Sequence, residues 1–358
     1  MNPRLLGVLA FAWLLPVVAS ARGGRTVLAE DANEWREERF CGRPTQFFIQ
    51  GPKSEGARDG MLAFGADGEV YVACGTFIQR IGKDGTVRIL AGTPGLVGNT
   101  DGPPWRASFG DACDIALADE KTLYVVDRVN FTVRRLKKMK GGAWHTETVA
   151  GVPGKMGHKD GPGKEALFAA PLDSLAVDEK GVVYVMDGNW LRKIENGVVT
   201  SLNAGTGRDD GPLAEAGFSR AMGSAGGLAY AGEGILFVAD RWNMAIRRVD
   251  LKASEVTTYA GRLPGAAKGG PNDGTVFQAR FHPGGGPCTI VYNPKEKCLL
   301  VKSADEKNIR RIKDGWVKTL AAGGRAVQGS PHGVDPDGNI YIGGGRRLVR
   351  TKEGDADE

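Results

Sequence analysis

The sequence predicts an all-β protein, a six-bladed β-propeller, on three observations. No segment shows helical periodicity, and the 54 glycines among 358 residues suit short strands joined by tight turns. A repeat of roughly 40–60 residues with about four strands is typical of a propeller blade. The apolar core of a second strand recurs once in each repeat, as VYVAC (70–74), LYVVD (123–127), VYVMD (183–187), LFVAD (236–240), LLVKS (299–303) and IYIGG (340–344).

The first 21 residues have the pattern of a secretory signal peptide. Arg4 precedes an apolar run from Leu5 to Val18, and Ala19-Ser20-Ala21 supplies the small residues of a cleavage site. We therefore expect a mature chain that begins near Arg22 and is secreted or periplasmic. No later stretch of about 20 apolar residues predicts a membrane span.

After the signal peptide, residues 22–43 are charged and poor in turn signals, which predicts a flexible lead-in. The propeller is expected over residues 44–352, followed by an acidic tail at 353–358. The last repeat has only three strands before the chain ends. We therefore predict that TQFFIQ (45–50) supplies its fourth strand, because an N-terminal strand in the last blade closes the ring and removes an open sheet edge.

Between the strands lies a recurring motif, Asp-Gly-x4-Ala-x-Phe, which we interpret as structural. We expect its Asp to cap a turn and its Phe to pack between blades. A calcium loop would need several carboxylates within a few residues, and each copy offers one or two. The motif begins at Asp101, Asp160, Asp210 and Asp273. These loops and the turns after the second strands are expected to surround one mouth of the central channel.

A second recurring set joins the Asp that ends the second strand to an Arg in the third strand. Such a pair, repeated in several blades, predicts ion pairs that fix each blade rather than one catalytic site. The pairs are Asp127 with Arg134, Asp187 with Arg192, and Asp240 with Arg247.

These motifs resemble those of the NHL-repeat family. AGTPGLVGNTDG (91–102) and AGVPGKMGHKDG (150–161) share their spacing, and DRVNFTVRR (127–135) parallels DRWNMAIRR (240–248). The resemblance extends from Gly60 to about Arg350 and implies a β-propeller. NHL propellers include interaction scaffolds, RNA-binding proteins and a few lyases, so the resemblance does not by itself give the function.

Composition narrows the classes of partner. A net charge of +5 in an exported chain suits solubility better than nucleic-acid binding, so we expect no nucleic-acid partner. The five cysteines are odd in number and show no disulfide framework. We expect a monomer.

Functional residues are expected where the repeats differ. The loops after the second strands place aromatic rings beside arginines, a combination that suits a protein, peptide or glycan partner. The predicted ligand-binding residues are Arg128, Trp190, Arg241, Trp242 and Arg346.

A metal site is the alternative. When the starts of the innermost strands are aligned, two thiols, a carboxylate and an imidazole occupy equivalent positions around the channel, which could hold a divalent metal at the channel mouth. They are Cys113, Asp173, Cys288 and His332, with His158 and His282 in loops predicted on the same face. The other interpretation is that they are buried thiols and solvated polar residues.

Two functions follow from these patterns. The first is a secreted binding module that presents a loop-rich face to a protein, peptide or glycan. The alternative is a metal-dependent propeller enzyme of the lyase or lactonase/hydrolase type, with its site at the channel mouth. The sequence leaves open whether the protein is an enzyme.

Overall fold

The computed structural model describes residues 35–39, 60–219, 227–261, 272–281, 286–304, 306–322, 324–343 and 346–350. The predicted signal peptide, TQFFIQ, His282 and the acidic tail lie outside the described residues.

Among the described strands, six antiparallel sheets of four or five strands surround one axis, which confirms the all-β, six-bladed propeller. Two further pairs of short strands lie in the connections between blades: Gly205–Thr206 with Gly217–Phe218, which is parallel, and Ala321–Ala322 with Arg325–Ala326, which is antiparallel. Blade 1 has the strands Leu62–Phe64, Val70–Ala73, Phe77–Ile81 and Val87–Gly92. Blade 2 has Ala112–Asp119, Thr122–Asp127, Thr132–Lys138 and Trp144–Ala150. Blade 3 has Leu172–Val177, Val183–Asp187, Trp190–Glu195 and Val198–Ser201. Blade 4 has Leu228–Tyr230, Ile235–Asp240, Ala245–Asp250 and Glu255–Gly261. Blade 5 has Pro287–Asn293, Cys298–Ser303, Arg310–Lys313 and Trp316–Thr319. Blade 6 has Pro331–Val334, Ile340–Ile342, Arg346–Arg350 and Trp35–Arg39.

In each blade the strands follow one another from the channel outward. The inner strand lines the channel, and each successive strand pairs antiparallel with the one before it. The second strands are covered on both faces by neighbouring blades, so they have apolar side chains in succession; every residue of Val183–Asp187 is buried. The core of the protein therefore lies between blades.

An N-terminal strand closes the ring, but not the predicted one. Trp35–Arg39 pairs antiparallel with Arg346–Arg350 and forms the outer strand of blade 6. Trp35 is buried in a cluster with Ile340 and Leu348. The prediction that TQFFIQ (45–50) supplies the fourth strand of the last blade was wrong, because Trp35–Arg39 holds that position beside Arg346–Arg350; TQFFIQ itself lies outside the described residues. The closing strand lies within the residues predicted as a flexible lead-in and before residue 44, the predicted start of the propeller.

The Asp-Gly-x4-Ala-x-Phe motif runs along the outer edge of the blade that follows it. Gly161–Pro162 pairs with Val198 and Val199 of the outer strand of blade 3. The expectation that this part of the loop surrounds the channel mouth was wrong. Phe168, at the other end of the motif, is fully buried, as predicted.

The motif and the strand ends meet at a buried arginine. In blade 3, Arg192 bonds Asp187 at 2.5 Å and Asp160 at 2.6 Å, and its guanidinium lies 5.3 Å from the centre of the Phe168 ring. The predicted pairing is confirmed. The Asp of the motif is a partner of this buried arginine, and does not cap a turn as expected. Arg134 and Arg247 repeat the arrangement in blades 2 and 4.

Burial makes these carboxylates dependent on the arginines. Asp240 and Arg247 are both fully buried. Burial raises the pKa of Asp240, and this rise is opposed by hydrogen bonds from Asn243 and Ser219 and by the charge of Arg247. Without the guanidinium, an ionised Asp240 would be a buried charge with no countercharge.

Candidate functional site

The four predicted metal ligands occupy one structural feature. Each is the extra residue of a β-bulge at the start of an inner strand, where the pairing register shifts past it. A bulge changes the direction of its side chain relative to the regular strand. We refer to Cys113, Asp173, Cys288 and His332 together as the bulge belt. The sequence alignment that placed them at equivalent positions is therefore correct.

Two members of the bulge belt contact the next blade. The Cys113 thiol donates to the carbonyl of Asp173 across 3.7 Å, and His332 Nδ1 lies 2.8 Å from the carbonyl oxygen of Gly60. A carbonyl only accepts, so Nδ1 carries the proton of this imidazole. Cys288 instead donates to Lys302 within its own blade. The bonds of Cys113 and His332 thus join neighbouring blades, and that of Cys288 joins two strands of one blade; all three are structural.

Among the described residues, no three His, Cys, Asp or Glu side chains lie close enough together to hold a metal ion. The four bulge-belt residues are therefore not brought together on one point. Burial also raises the pKa of Cys113 well above its ordinary value, which disfavours the thiolate that a metal requires. The four described cysteines are free thiols.

We call one face of the ring the loop face. It carries the inter-blade loops and the turns after the second strands. In blade 2, Arg128 pairs with Asp111, and both side chains are about a quarter exposed. In blade 4, the guanidinium of Arg241 lies 5.4 Å from the centre of the Trp242 ring, and Trp242 is 43% exposed. Three of the predicted ligand-binding residues therefore lie on the loop face within reach of solvent.

The other two predicted ligand-binding residues make contacts within the fold. Arg346 bonds the carbonyls of Gly343 and Gln328 and the carboxylate of Glu37, which ties the closing strand to blade 6. Trp190 is half-buried and stacks on His158, with ring centres 4.2 Å apart. Both are therefore placed to stabilise their blades.

His158 takes the place of an asparagine that blade 3 lacks. In blades 2 and 4 a four-residue turn supplies Asn130 or Asn243, which donates to the buried carboxylate at 2.7 or 2.8 Å. The turn of blade 3 has only residues 188–189 between its strands. His158 approaches Asp187 from the inter-blade loop instead, at 3.5 Å.

Ser201, His158 and Asp187 lie in the order of a nucleophilic triad, but Asp187 is already paired with Arg192 at 2.5 Å. His158 Nδ1 lies 3.2 Å from that guanidinium and 3.5 Å from the Asp187 carboxylate, so the imidazole faces the ion pair as a whole. His158 Nε2 lies 3.3 Å from Ser201 Oγ. The hydroxyl also bonds Asp160, as threonines do in the other blades. The cluster is a stabilising contact.

A surface that the sequence did not reveal lies on the loop face between blades 1, 2 and 3. Leu96 and Val97 are 57% and 62% exposed in one inter-blade loop, Met156 is 63% exposed in the next, and Val129 is 52% exposed in the turn of blade 2. We call these four side chains the loop-face patch. The sequence signal that could have identified these side chains is the presence of apolar residues in turns and loops, where polar residues are more usual.

Backbone and amide contacts hold the loop-face patch together. Asn130, next to Val129, donates to the Gly98 carbonyl at 2.7 Å, and its own carbonyl accepts from the Gly154 amide at 3.1 Å. The turn of blade 2 is thereby fixed to both inter-blade loops. The turn that carries Val129 is therefore next to both the loop that carries Val97 and the loop that carries Met156.

No helix in the part of the chain that the structure describes is long and apolar enough to cross a membrane.

The family model of the Teneurin NHL domain matches residues 57–211. Protein SUPPRESSOR OF QUENCHING 1, chloroplastic, from Arabidopsis thaliana is 32% identical over 190 residues, covering 48% of this chain and 17% of that protein. NHL repeat-containing protein 2 from Bos taurus is 26% identical over 234 residues, covering 62% of this chain and 30% of that protein. The chain thus spans less than a third of either relative.

A solved structure of similar fold is a protein of unknown function from Bacteroides thetaiotaomicron. It superimposes with a TM-score of 0.56 at 14% identity, covering 88% of this chain and 76% of that one. At this identity the likeness concerns the fold alone.

Proposed function

The chain is an NHL-repeat β-propeller, and from that premise we propose that it is a secreted binding module whose loop face binds a partner protein. The pattern of residues 1–21 supports secretion. The loop-face patch is the observation that supports the partner surface, because exposed apolar side chains grouped on one surface are typical of protein interaction sites.

The surroundings of the loop-face patch suit a protein more than a glycan. Sugar-binding surfaces use an open aromatic ring, whereas Trp190 is covered by His158 and the exposed Trp242 ring has the guanidinium of Arg241 over it. The patch itself is aliphatic and thioether, the side chains that fill the centre of protein interfaces, and Trp242 with Arg241 adds a residue pair that is frequent at interface hot spots. The turns and loops that present these groups are bonded to each other, so little ordering is needed on binding.

The proposal is tested with a matched pair of substitutions. The mature protein is immobilised, partners are captured from the secreted fraction of its source, and the leading partner is purified for affinity measurements by calorimetry. Val97→Asp is expected to weaken binding at least about tenfold (~1.4 kcal/mol), because it places a charge in the centre of an apolar contact. Val198→Asp makes the same substitution at a valine that is 47% exposed on the outer strand of blade 3, and is expected to leave the affinity unchanged.

Equal affinities of both variants for the purified partner would contradict the proposal. So would saturable binding to an array of glycans with no protein partner captured. The metal-dependent alternative lacks one specific support: among the described residues, no three His, Cys, Asp or Glu side chains lie close enough together to hold a metal ion.

A further inference from the structure

The central channel contains a cavity of about 430 Å³ between the six inner strands. Residues from every blade line it, and most of them are apolar residue types, among them Met61, Ile115, Leu175, Leu228, Ile290 and Val334. This cavity lies away from the loop face and is not part of the proposed partner surface.

One end of the cavity is polar. Asp114 and His332 line it, and they are 3% and 4% exposed. Asp114 is held in place because its carboxylate accepts the amide proton of Leu175, at 2.9 Å, from the next blade. Among the described residues that line the cavity, none lies closer to the loop face than Asp114 and His332. The polar end of the cavity is therefore next to the bulge belt.

The other end leads to the face opposite the loops. The inner strands run from the loop face towards it, and the last lining residues include Tyr230, Tyr292, Asp335 and Pro336, so the outer opening also carries polar groups. Both tyrosines are half-buried and Pro336 is exposed, so this end is in contact with solvent. The cavity thus has an apolar wall, a polar inner end and an outer opening.

These properties are those of a ligand pocket. Protein interiors have few spaces larger than a water molecule, whereas small-molecule sites measure roughly 300–1,000 Å³. Water against aliphatic side chains has few hydrogen-bond partners, so an apolar group that displaces it gains affinity. A charged ligand head would lose its hydration at the buried inner end, and an anionic one would also face the carboxylate of Asp114.

We propose that the channel cavity binds a small amphipathic molecule with an aliphatic or aromatic body and an uncharged hydrogen-bonding head. The body lies against the aliphatic wall, and the head reaches the layer of Asp114 and His332. The molecule enters from the face opposite the loops, so its binding is independent of a partner on the loop face.

The test uses N-phenyl-1-naphthylamine, an uncharged aromatic amine whose fluorescence rises in apolar surroundings. Wild-type protein is expected to bind it saturably at one site per chain. Ala116 and Val177 are half-buried residues of the cavity wall on blades 2 and 3. Ala116→Phe and Val177→Phe, each made separately, fill the space and are expected to weaken binding at least about tenfold, provided that their melting temperatures match that of the wild type.

Ala253→Phe is the control, because it adds the same side chain at an exposed turn of blade 4. It is expected to bind the probe as the wild type does. An absence of saturable binding to the wild type, or wild-type affinity in a folded Ala116→Phe or Val177→Phe variant, would overturn the proposal. So would an equal loss in Ala253→Phe, since the probe would then bind elsewhere.

Discussion

Replacing Arg247 by alanine is expected to lower the free energy of unfolding by about 3–5 kcal/mol, because removing one partner of a buried ion pair leaves the other charge uncompensated. Arg247 is fully buried and bonds Asp240 at 3.1 Å and Asp210 at 2.8 Å. Asp240 is also fully buried and would keep only its bonds to neutral donors. The change is measured as the shift in the midpoint of denaturant unfolding.

The neighbouring arginine is the control for this prediction. Arg248 pairs with Asp250 at 3.0 Å, but both side chains are partly exposed, at 35% and 20%. Exposed pairs contribute about 0–1 kcal/mol, so Arg248→Ala is expected to shift the midpoint little. If the two alanine variants proved equally stable, the buried arginines would not be the groups that fix the blades.

Replacing Phe168 by alanine is expected to lower the free energy of unfolding by about 3–5 kcal/mol, because the substitution leaves a cavity between blades. The ring is fully buried and contacts Gly151, whose φ of 91° no side chain would favour. A Cβ atom added to Gly151 would lie 2.2 Å from the carbonyl oxygen of Phe131, so the two backbone segments beside the Phe168 ring are closely packed. Thermal unfolding gives the measurement.

Phe277 supplies the matched comparison. It lies within the same recurring motif in blade 5, yet its side chain is 69% exposed. Phe277→Ala is expected to change stability by less than about 0.5 kcal/mol, as surface substitutions usually do. A Phe168→Ala variant as stable as Phe277→Ala would show that the motif does not hold the blades together.

The architecture could be predicted because each blade repeats the same physical requirements. A second strand covered on both faces needs apolar side chains in succession, so VYVMD and its counterparts locate the blades. The pairing of Asp187 with Arg192 could be predicted for a related reason. A contact that the fold requires in every blade appears as a periodic pattern in the sequence.

The closing strand could not be predicted from composition. Its sequence is WREER, in which Trp35 is buried while Arg36 and Glu37 are exposed. An outer strand pairs through its backbone along one edge, and charged side chains on such an edge prevent association with other sheets. The apolar TQFFIQ segment has the composition of a strand, but composition does not specify which sheet edge a strand joins.

The direction of the side chains in the bulge belt also could not be predicted from the sequence. Alignment places Cys113 and His332 at equivalent positions, but the bulge that turns them towards the next blade depends on a register shift that no residue type encodes.

The loop-face patch was missed for a different reason. Val97 and Met156 are far apart in the sequence, and the contacts of Asn130 with both loops, which place the two loops next to one turn, depend on the fold.

Hydrogen exchange of the amides, measured with and without the purified partner, tests whether the loop face binds a partner protein while the repeated residues stabilise the ring. Protection is expected in peptides that contain residues 93–100, 128–131 and 152–159, with no change in the outer strands Val87–Gly92 and Val198–Ser201. Protection confined to those outer strands, with the three loop segments unchanged, would contradict binding at the loop face.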